Sequence, residues 1–418
     1  YQTAGAKIRP PLNSRFPAFR NENPQWWDGS QIYGETIAET YRLRTHPVTG
    51  KLEPNGKLYV DPKTHLLGVD PQTGIPLTGF NDNWWLGLEI LHTVFAREHN
   101  RICDLLIESE RHLTEQEIFE TTRLINCALM AKIHTVEWTP SIIAHPSIQP
   151  ALDANWMGLF GHFFGEKAAR KLAKWLPNGF VKDVLTGVPM SETDHHGTPY
   201  SLTEEFNAVY RLHPLIPDEV EIKRCGTEQK IGTYKMADIA FSESRTPFKD
   251  KAEMVDVIYS FGTANPGAII ARNYPNFLRD LALPGDPISG RKQILDLAAV
   301  DLIRDRSRGV PRYCEFRRQL RMSAPESFEE LAGLFDGNHR PSPDQDPFPN
   351  LVKELHDLYG GDLEAVDTMV GMFLEVPPAD FGFSDTAFRI FILMASRRLK
   401  SDRFFTEDYT EERGSEPY

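Results

Sequence analysis

Within EEFNAVYRLHPLIPDEVEI, residues 204–222, Tyr210 stands three positions before His213, and His213 directly precedes Pro214. A neutral imidazole held at the end of a rigid element can be aimed at a metal centre, iron above all. A phenol one helical turn away would sit beside that centre, close enough to lose an electron to it. The same spacing also describes a packed tyrosine and a capped helix-end histidine. A lone histidine is a weak signal, so the pair alone favours the structural explanation.

The elements around the pair follow from local chemistry. Ser201 and Glu204 have capping-box spacing, and Pro214 disfavours helical geometry at the residue before it, so a helix is predicted over 201–213. On it, Tyr210 and His213 share a face. Leu88, Leu91, Val94, Phe95, Ile102, Leu105 and Leu106 recur at three- and four-residue spacing, the stripe of a helix of about five turns. A second helix begins at Thr114, with Glu117 completing a capping box, and Pro140 should stop it.

Further helices are expected over 164–175, 251–260, 291–306, 350–374 and 384–400. Residues 1–80 are rich in turn chemistry, with pieces such as KLYV that could pair as hairpins. No internal repeat or low-complexity segment is recognised, and 336–349 reads as an exposed loop. The fold class is mainly α with few short strands: a loop-rich segment, 1–80, belonging to the same domain as a helical core, 81–418.

Composition narrows the function. The chain has 418 residues, 40% of them hydrophobic, enough for a large core. A formal net charge of −13 without a basic run argues against nucleic acid as a partner. No apolar run approaches the roughly 20 residues of a membrane-spanning helix, so the protein is expected to be soluble or at most peripheral to a membrane. The first residues show no signal-peptide pattern, and the compartment stays open. Cys103, Cys127, Cys225 and Cys314 lack metal-site spacing and are expected to be free thiols.

The surroundings of the pair carry more than the pair does. YRLHPLIPD (210–218) resembles the proximal-histidine segment of the animal-type haem peroxidases and cyclooxygenases. NPQWWDGSQIYG (23–34), HTVFAREHNRICDLL (92–106) and LDLAAVDLIRDRSRGVPRYCEFRR (295–318) are similar to other segments of that superfamily, in the same order. Through WWDGSQIYG, AKIHTVEWT (131–139), HGTPYSLTEEF (196–206), GVPRYCEFRR (309–318) and ASRRLKSDRFF (395–405), the resemblance is strongest to the fatty-acid α-dioxygenases.

That resemblance implies a large helical fold, a haem b held by His213, and Tyr210 as the residue that becomes a radical. It implies peroxide as activator, and long-chain fatty acid and O2 as substrates. Oxygenation at C2 requires the carboxylate to be pinned just beyond the tyrosine. The matching positions are His134, Thr139 and Arg398, with Arg397 and Arg403 in the same segment as Arg398. An arginine fork suits a carboxylate. Asp28 and Ser30, with the carbonyls of Trp26 and Pro24, match a Ca²⁺ loop, although Pro24 stands where the family has a threonine. Arg97, Glu98 and His99 are read as structural.

Departures from the family pattern keep other readings open. No histidine occurs in residues 1–22, upstream of the calcium-type loop, where the family carries its distal histidine. The distal base is therefore expected to lie outside this chain, which reads as truncated at both ends. Asn81 stands where peroxidases have a distal arginine. A general haem peroxidase or another fatty-acid oxygenase is the second reading, and a non-catalytic member or fragment is the third. Chain-length preference and oligomeric state are not legible.

Overall fold

The structure is a computed structural model that describes residues 7–8, 18–19, 27–109, 112–192, 202–283, 293–333, 350–402 and 405–406. Two units emerge. The smaller comprises Trp27–Glu137 and Pro217–Pro266; the larger comprises Trp138–Ile216 and Gly267–Gly414, together with Tyr1–Trp26.

Along the chain, β1 (Lys7–Ile8) pairs antiparallel with β2 (Ala18–Phe19) in the larger unit. The smaller unit then supplies helices α1 (Ser30–Tyr33), α2 (Ile37–Leu43), α3 (Leu86–Ser109) and α4 (Glu115–Ile133). A π-helical turn, His134–Trp138, leads into α5 (Thr139–Ile142), α6 (Ile148–Phe164), α7 (Glu166–Ala173), α8 (Phe180–Thr186) and α9 (Glu204–Val209). Antiparallel β3 (Glu219–Lys223) and β4 (Lys230–Lys235), then α10 (Thr246–Lys249) and α11 (Met254–Thr263), return to the smaller unit. The larger unit ends with α12 (Asn276–Arg279), the pair β5 (Leu281–Leu283) and β6 (Gln293–Leu295), and six helices: α13 (Leu297–Arg308), α14 (Tyr313–Gln319), α15 (Phe328–Leu331), α16 (Leu351–Leu358), α17 (Thr368–Leu374) and α18 (Asp385–Ser401). The mainly α expectation matches this architecture.

In the smaller unit, α3 and α4 form where the apolar spacing placed them. At Thr114 both halves of the capping box are made: its side chain accepts from the Glu117 N–H, and the Glu117 carboxylate accepts from the Thr114 N–H at 2.7 Å. Pro140 does not stop this helix. The backbone changes to π spacing at His134, six residues earlier, and Pro140 lies in the first turn of α5, where a missing N–H costs no hydrogen bond. Glu89 on α3 is fully buried, and its carboxylate accepts from Arg245 at 2.8 Å and from the Trp84 indole at 3.2 Å. Removing one partner of such a buried pair typically costs about 3–5 kcal/mol.

A repeat missed in the sequence appears between α2 and α3. HPVTG, DPKTH and DPQTG each close a turn bridged at Thr45–Leu52, Val60–Leu67 and Val69–Pro76. In each, the first side chain accepts the N–H groups two and three residues on: His46 Nδ1 from Val48 and Thr49, Asp61 Oδ1 from Lys63 and Thr64, Asp70 Oδ1 from Gln72 and Thr73. The fifth residue has positive φ in all three: Gly50 at 69°, His65 at 58° and Gly74 at 71°. Histidine replaces aspartate at one copy and glycine at another, which hides the period.

The larger unit's core brings together Ile143 and Ile148, Val209, Met369 to Phe373, and the α18 stripe Ala387, Ile390, Phe391 and Met394. Helix α18 is opened by Ser384, whose hydroxyl accepts from the Ala387 N–H at 3.2 Å. Several expected helices here are broken for local reasons. Gly165 (φ 86°) divides α6 from α7 within 164–175; Gly360 and Gly361, both left-handed, divide 350–374; and Asp296 caps α13 after a strand has taken Gln293–Leu295. Segment 336–349 lies outside the described residues apart from its surroundings.

Candidate active site

Helix α9 carries the approach to the site and is shorter than expected. Thr203, rather than Ser201, caps it by accepting from the Phe206 N–H at 3.2 Å, while Ser201 itself lies outside the described residues. The helix ends at Val209. Tyr210 is its C-terminal cap residue, and His213 opens a separate 3-10 turn, His213–Leu215, with Pro214 inside it. Tyr210 and His213 therefore do not share one helical face. The restriction imposed by Pro214 acts on a short turn of its own, and the chain has already left the helix three residues earlier.

Tyr210 is packed through its ring. Its ring centroid lies 5.0 Å from that of Phe206 with the planes 16° apart, and 6.2 Å from that of Phe391 with the planes 10° apart. The residue is nevertheless 38% exposed, and among the described residues its hydroxyl has no hydrogen-bond partner. Burial of the ring pushes the phenol above its ordinary pKa, so it stays protonated near neutrality. The result is a rigid aromatic stack with an O–H left available at its edge.

His213 is held from one side. Its Nδ1 lies 3.3 Å from the Tyr274 hydroxyl and 3.8 Å from Asp301 Oδ2, and its side chain is 17% exposed. Among the described residues these polar contacts are all at Nδ1, and none is made by Nε2. Burial first, and then the Arg211 and Arg304 guanidiniums, lower its pKa to about 4. The imidazole is therefore neutral at physiological pH, the form that binds metal. These features fit an axial iron ligand whose orientation is fixed through its other nitrogen.

Behind His213 lies a buried charge cluster that the sequence did not reveal. Asp301 on α13 is fully buried and stands 3.4 Å from both Arg211 and Arg304. Burial raises its pKa, while the two guanidiniums and the Tyr274 hydroxyl oppose the rise. Asp305, one turn on, is pushed up to about 6 by burial. The signal was present in the 295–318 segment, but nothing in the spacing says that Asp301 faces His213.

The carboxylate candidates divide between the units. Thr139 and Arg398 belong to the larger unit, and Phe391 connects their surroundings to Tyr210. The Trp138 ring, adjacent in sequence to Thr139, meets Phe391 at 5.9 Å, edge to face. Thr139 is buried, and its carbonyl accepts from the Ile143 N–H at 3.1 Å. Arg398 follows Phe391 by seven residues on α18, which returns it to the same helical stripe. Arg397 lies off that stripe, and Arg403 is outside the described residues.

His134 lies in the smaller unit at the start of the π turn, its ring 5.6 Å from that of Trp27. Asp28 and Ser30 lie in the same unit, whereas Trp26 and Pro24 are outside the described residues. Asp28 Oδ1 accepts from the Ser30 N–H at 3.0 Å, and Oδ2 is 3.8 Å from the Arg123 guanidinium. Hard oxygens are present, but Arg123 already offsets the carboxylate, and among the described residues no group of three or more His, Cys, Asp or Glu could hold a metal ion. This is a partial fit to a Ca²⁺ loop.

The other notable positions of the smaller unit have structural partners. His99 is buried, with Nδ1 3.0 Å from the Tyr33 hydroxyl and Nε2 3.0 Å from the Gly56 carbonyl. Asn81 donates to the Pro76 carbonyl at 2.8 Å. A cavity of about 770 Å³ in the larger unit is lined by Trp156, Arg170, Lys182, Met190 and Phe405 among others, and by none of Thr139, Tyr210, His213 or Arg398.

Comparison with known proteins bears on the chain as a whole. Residues 9–416 match the family model described as animal haem peroxidase. The chain is 34% identical over 401 residues to the alpha-dioxygenase PIOX of Oryza sativa subsp. japonica, covering 94% of this chain and 59% of that protein. It superposes on the crystal structure of fatty acid alpha-dioxygenase from Arabidopsis thaliana with a TM-score of 0.77 and 33% identity, covering 93% of this chain and 58% of that one. A rice fatty acid alpha-dioxygenase, solved as a tyrosine-to-phenylalanine variant with palmitic acid, gives a TM-score of 0.77 and 32% identity, with 94% and 60% coverage. The chain thus spans about six-tenths of the length of these relatives.

Proposed function

The chain belongs to the animal haem peroxidase family, and from that premise we propose that the protein is a haem-dependent fatty-acid α-dioxygenase, adding O2 at C2 of a long-chain fatty acid. The observation that carries the proposal is the pairing of an unbonded Tyr210 hydroxyl with a neutral His213 held at Nδ1 alone. The likeness to the rice and Arabidopsis enzymes supports it.

Haem b, when bound, would supply one-electron oxidation, with peroxide as the oxidant. His213 would hold that group through Nε2, while Tyr274 and Asp301 keep the imidazole in position through Nδ1. Tyr210 would give up its hydroxyl hydrogen as a proton and an electron, both consumed in the reduction of peroxide, while its ring stays fixed between Phe206 and Phe391. The resulting phenoxyl oxygen takes one hydrogen from C2 of the fatty acid. O2 adds to the carbon radical, and return of the hydrogen from Tyr210 gives the 2-hydroperoxy acid and restores the radical.

The choice of C2 rests on the head group. In this reading Arg398 supplies a charge-assisted fork to the carboxylate, and Thr139 adds a donor. The alkyl tail contributes binding without fixing which carbon reacts. The direct test is product analysis with the haem-loaded protein and palmitic acid: oxygen at C2 is expected, and oxygen at any other carbon would point to a different oxygenase of the family and remove the role of Arg398.

Calcium is part of the same proposal at a secondary level. Asp28 and Ser30 would contribute two hard oxygens, with further donors required. Millimolar Ca²⁺ should raise the melting temperature in the wild type and leave Asp28→Ala unchanged; equal shifts in both would remove Asp28 from the site.

A further inference from the structure

The three helices α6, α7 and α8 of the larger unit carry an apolar surface that the reaction does not use. Phe163 and Phe164 are 73% and 67% exposed at the end of α6, Trp175 is 86% exposed just after α7, and Phe180 is 74% exposed at the start of α8. Val181 and Val184 add to it. Aromatic side chains present roughly 150–250 Å² each, so this group alone shows on the order of 500 Å² of apolar surface.

These residues converge through two glycines. The backbone of Leu185 and Thr186 passes so close to Gly158 that a Cβ there would meet it at 2.3 Å, and Gly187 likewise crosses Trp156 and Met157. Gly158 breaks α6 and begins its second half, whereas Gly187 ends α8. Helices α6 and α8 therefore meet at that crossing. Phe163 and Phe164 on α6 and Phe180 and Val181 on α8 stand at comparable distances along their helices from that crossing.

Helix α7 joins this group with a basic face. Lys167, Arg170, Lys171 and Lys174 are all exposed and recur at i, i+3, i+4 and i+7, while Ala169 and Ala173 on the opposite face are buried. Arg170 is paired with Glu166 at 2.6 Å, which leaves the three lysines as the local excess of charge. In a chain of net charge −13, a lysine stripe beside exposed aromatics is a local inversion of sign. Aromatic and aliphatic side chains flanked by lysines are the chemistry of an element lying in a membrane interface. Among the described residues no helix is long and apolar enough to cross a membrane, so any contact of these helices would be lateral.

We propose that α6–α8 form a docking face for an anionic lipid bilayer: Phe163, Phe164, Trp175 and Phe180 enter the acyl boundary while Lys167, Lys171 and Lys174 contact acidic headgroups. The inference is independent of the reaction assigned above, and its readout is binding rather than turnover. Flotation of the protein with phosphatidylcholine vesicles containing one quarter phosphatidylserine is expected to recover about tenfold more protein than pure phosphatidylcholine vesicles do. The excess should fall in 0.5 M salt.

Phe164→Ser/Phe180→Ser should abolish recovery. Lys171→Glu/Lys174→Glu should remove the preference for anionic lipid, with circular dichroism verifying that both variants are folded. Equal recovery on the two vesicle types, or undiminished recovery of both folded variants, would overturn the proposal. So would a concentration-dependent dimer that Phe164→Ser/Phe180→Ser dissociates, because a second copy of the chain would then cover the face.

Discussion

The Tyr210 ring lies 6.2 Å from the Phe391 ring, centroid to centroid, and the two planes are within 10° of parallel. Phe391 also meets Trp138 at 5.9 Å and Phe383 at 5.9 Å, both edge to face. One buried phenyl on α18 thus fixes the attitude of the phenol and ties it to the segment that begins at Thr139.

Substituting that phenyl should disturb the tyrosine before it disturbs the fold. Phe391→Leu keeps an apolar side chain of similar size and should cost about 1–2 kcal/mol through lost aromatic contacts. Thermal unfolding measures that cost. In the haem-loaded protein, the tyrosyl signal in electron paramagnetic resonance should broaden as the Tyr210 ring samples more orientations. An unchanged line shape would mean that Phe391 does not set the ring.

The arginine assignment separates two neighbours. Arg398 shares the Phe391 stripe of α18 and Arg397 does not, so Arg398→Ala should raise KM for a long-chain fatty acid by about 10–100-fold, the loss of a charge-assisted contact. Arg397→Ala should stay near wild type. Reversal of the two effects would move the head-group site to the other face of the helix.

Acid should destabilise the protein from above the carboxylate range. His92 is buried, with Nδ1 2.8 Å from the Thr78 hydroxyl, and burial lowers its pKa to about 4. Above about pH 6.5 both folded and unfolded states hold it neutral. As pH falls from there toward 4, only the unfolded state takes up the proton, so the folded state loses up to about 3 kcal/mol from this one group. His92→Gln can keep the bond to Thr78 without titrating. Its melting temperature should therefore gain on the wild type as pH falls from 7 to 4.5; a constant difference would contradict the assignment.

How much of this was legible in the sequence depended on the range of the interaction. Capping boxes and apolar stripes are local, and α3, α4 and α18 formed where those signals stood. The π turn at 134–138 has no local signature. The helix before His213 was read as too long, because the Pro214 rule constrains one residue and says nothing about where the helix has already ended. The threefold turn was hidden by His46 accepting two N–H groups as an aspartate does. Tyr274 and Asp301 reach His213 from 61 and 88 residues away, and no spacing rule reports such contacts. The resemblance supplied the family; the chain supplied the reason that His213 is neutral and held from one side.

The central claim is that the Tyr210 hydroxyl is the group that oxidises the substrate while His213 holds the iron. The measurement is oxygen uptake by the haem-loaded protein with palmitic acid and peroxide, wild type against Tyr210→Phe, with the Soret band recorded for both. Uptake should disappear in Tyr210→Phe while the Soret band persists, since His213 is untouched. Undiminished uptake in that variant, with haem bound, would contradict the account.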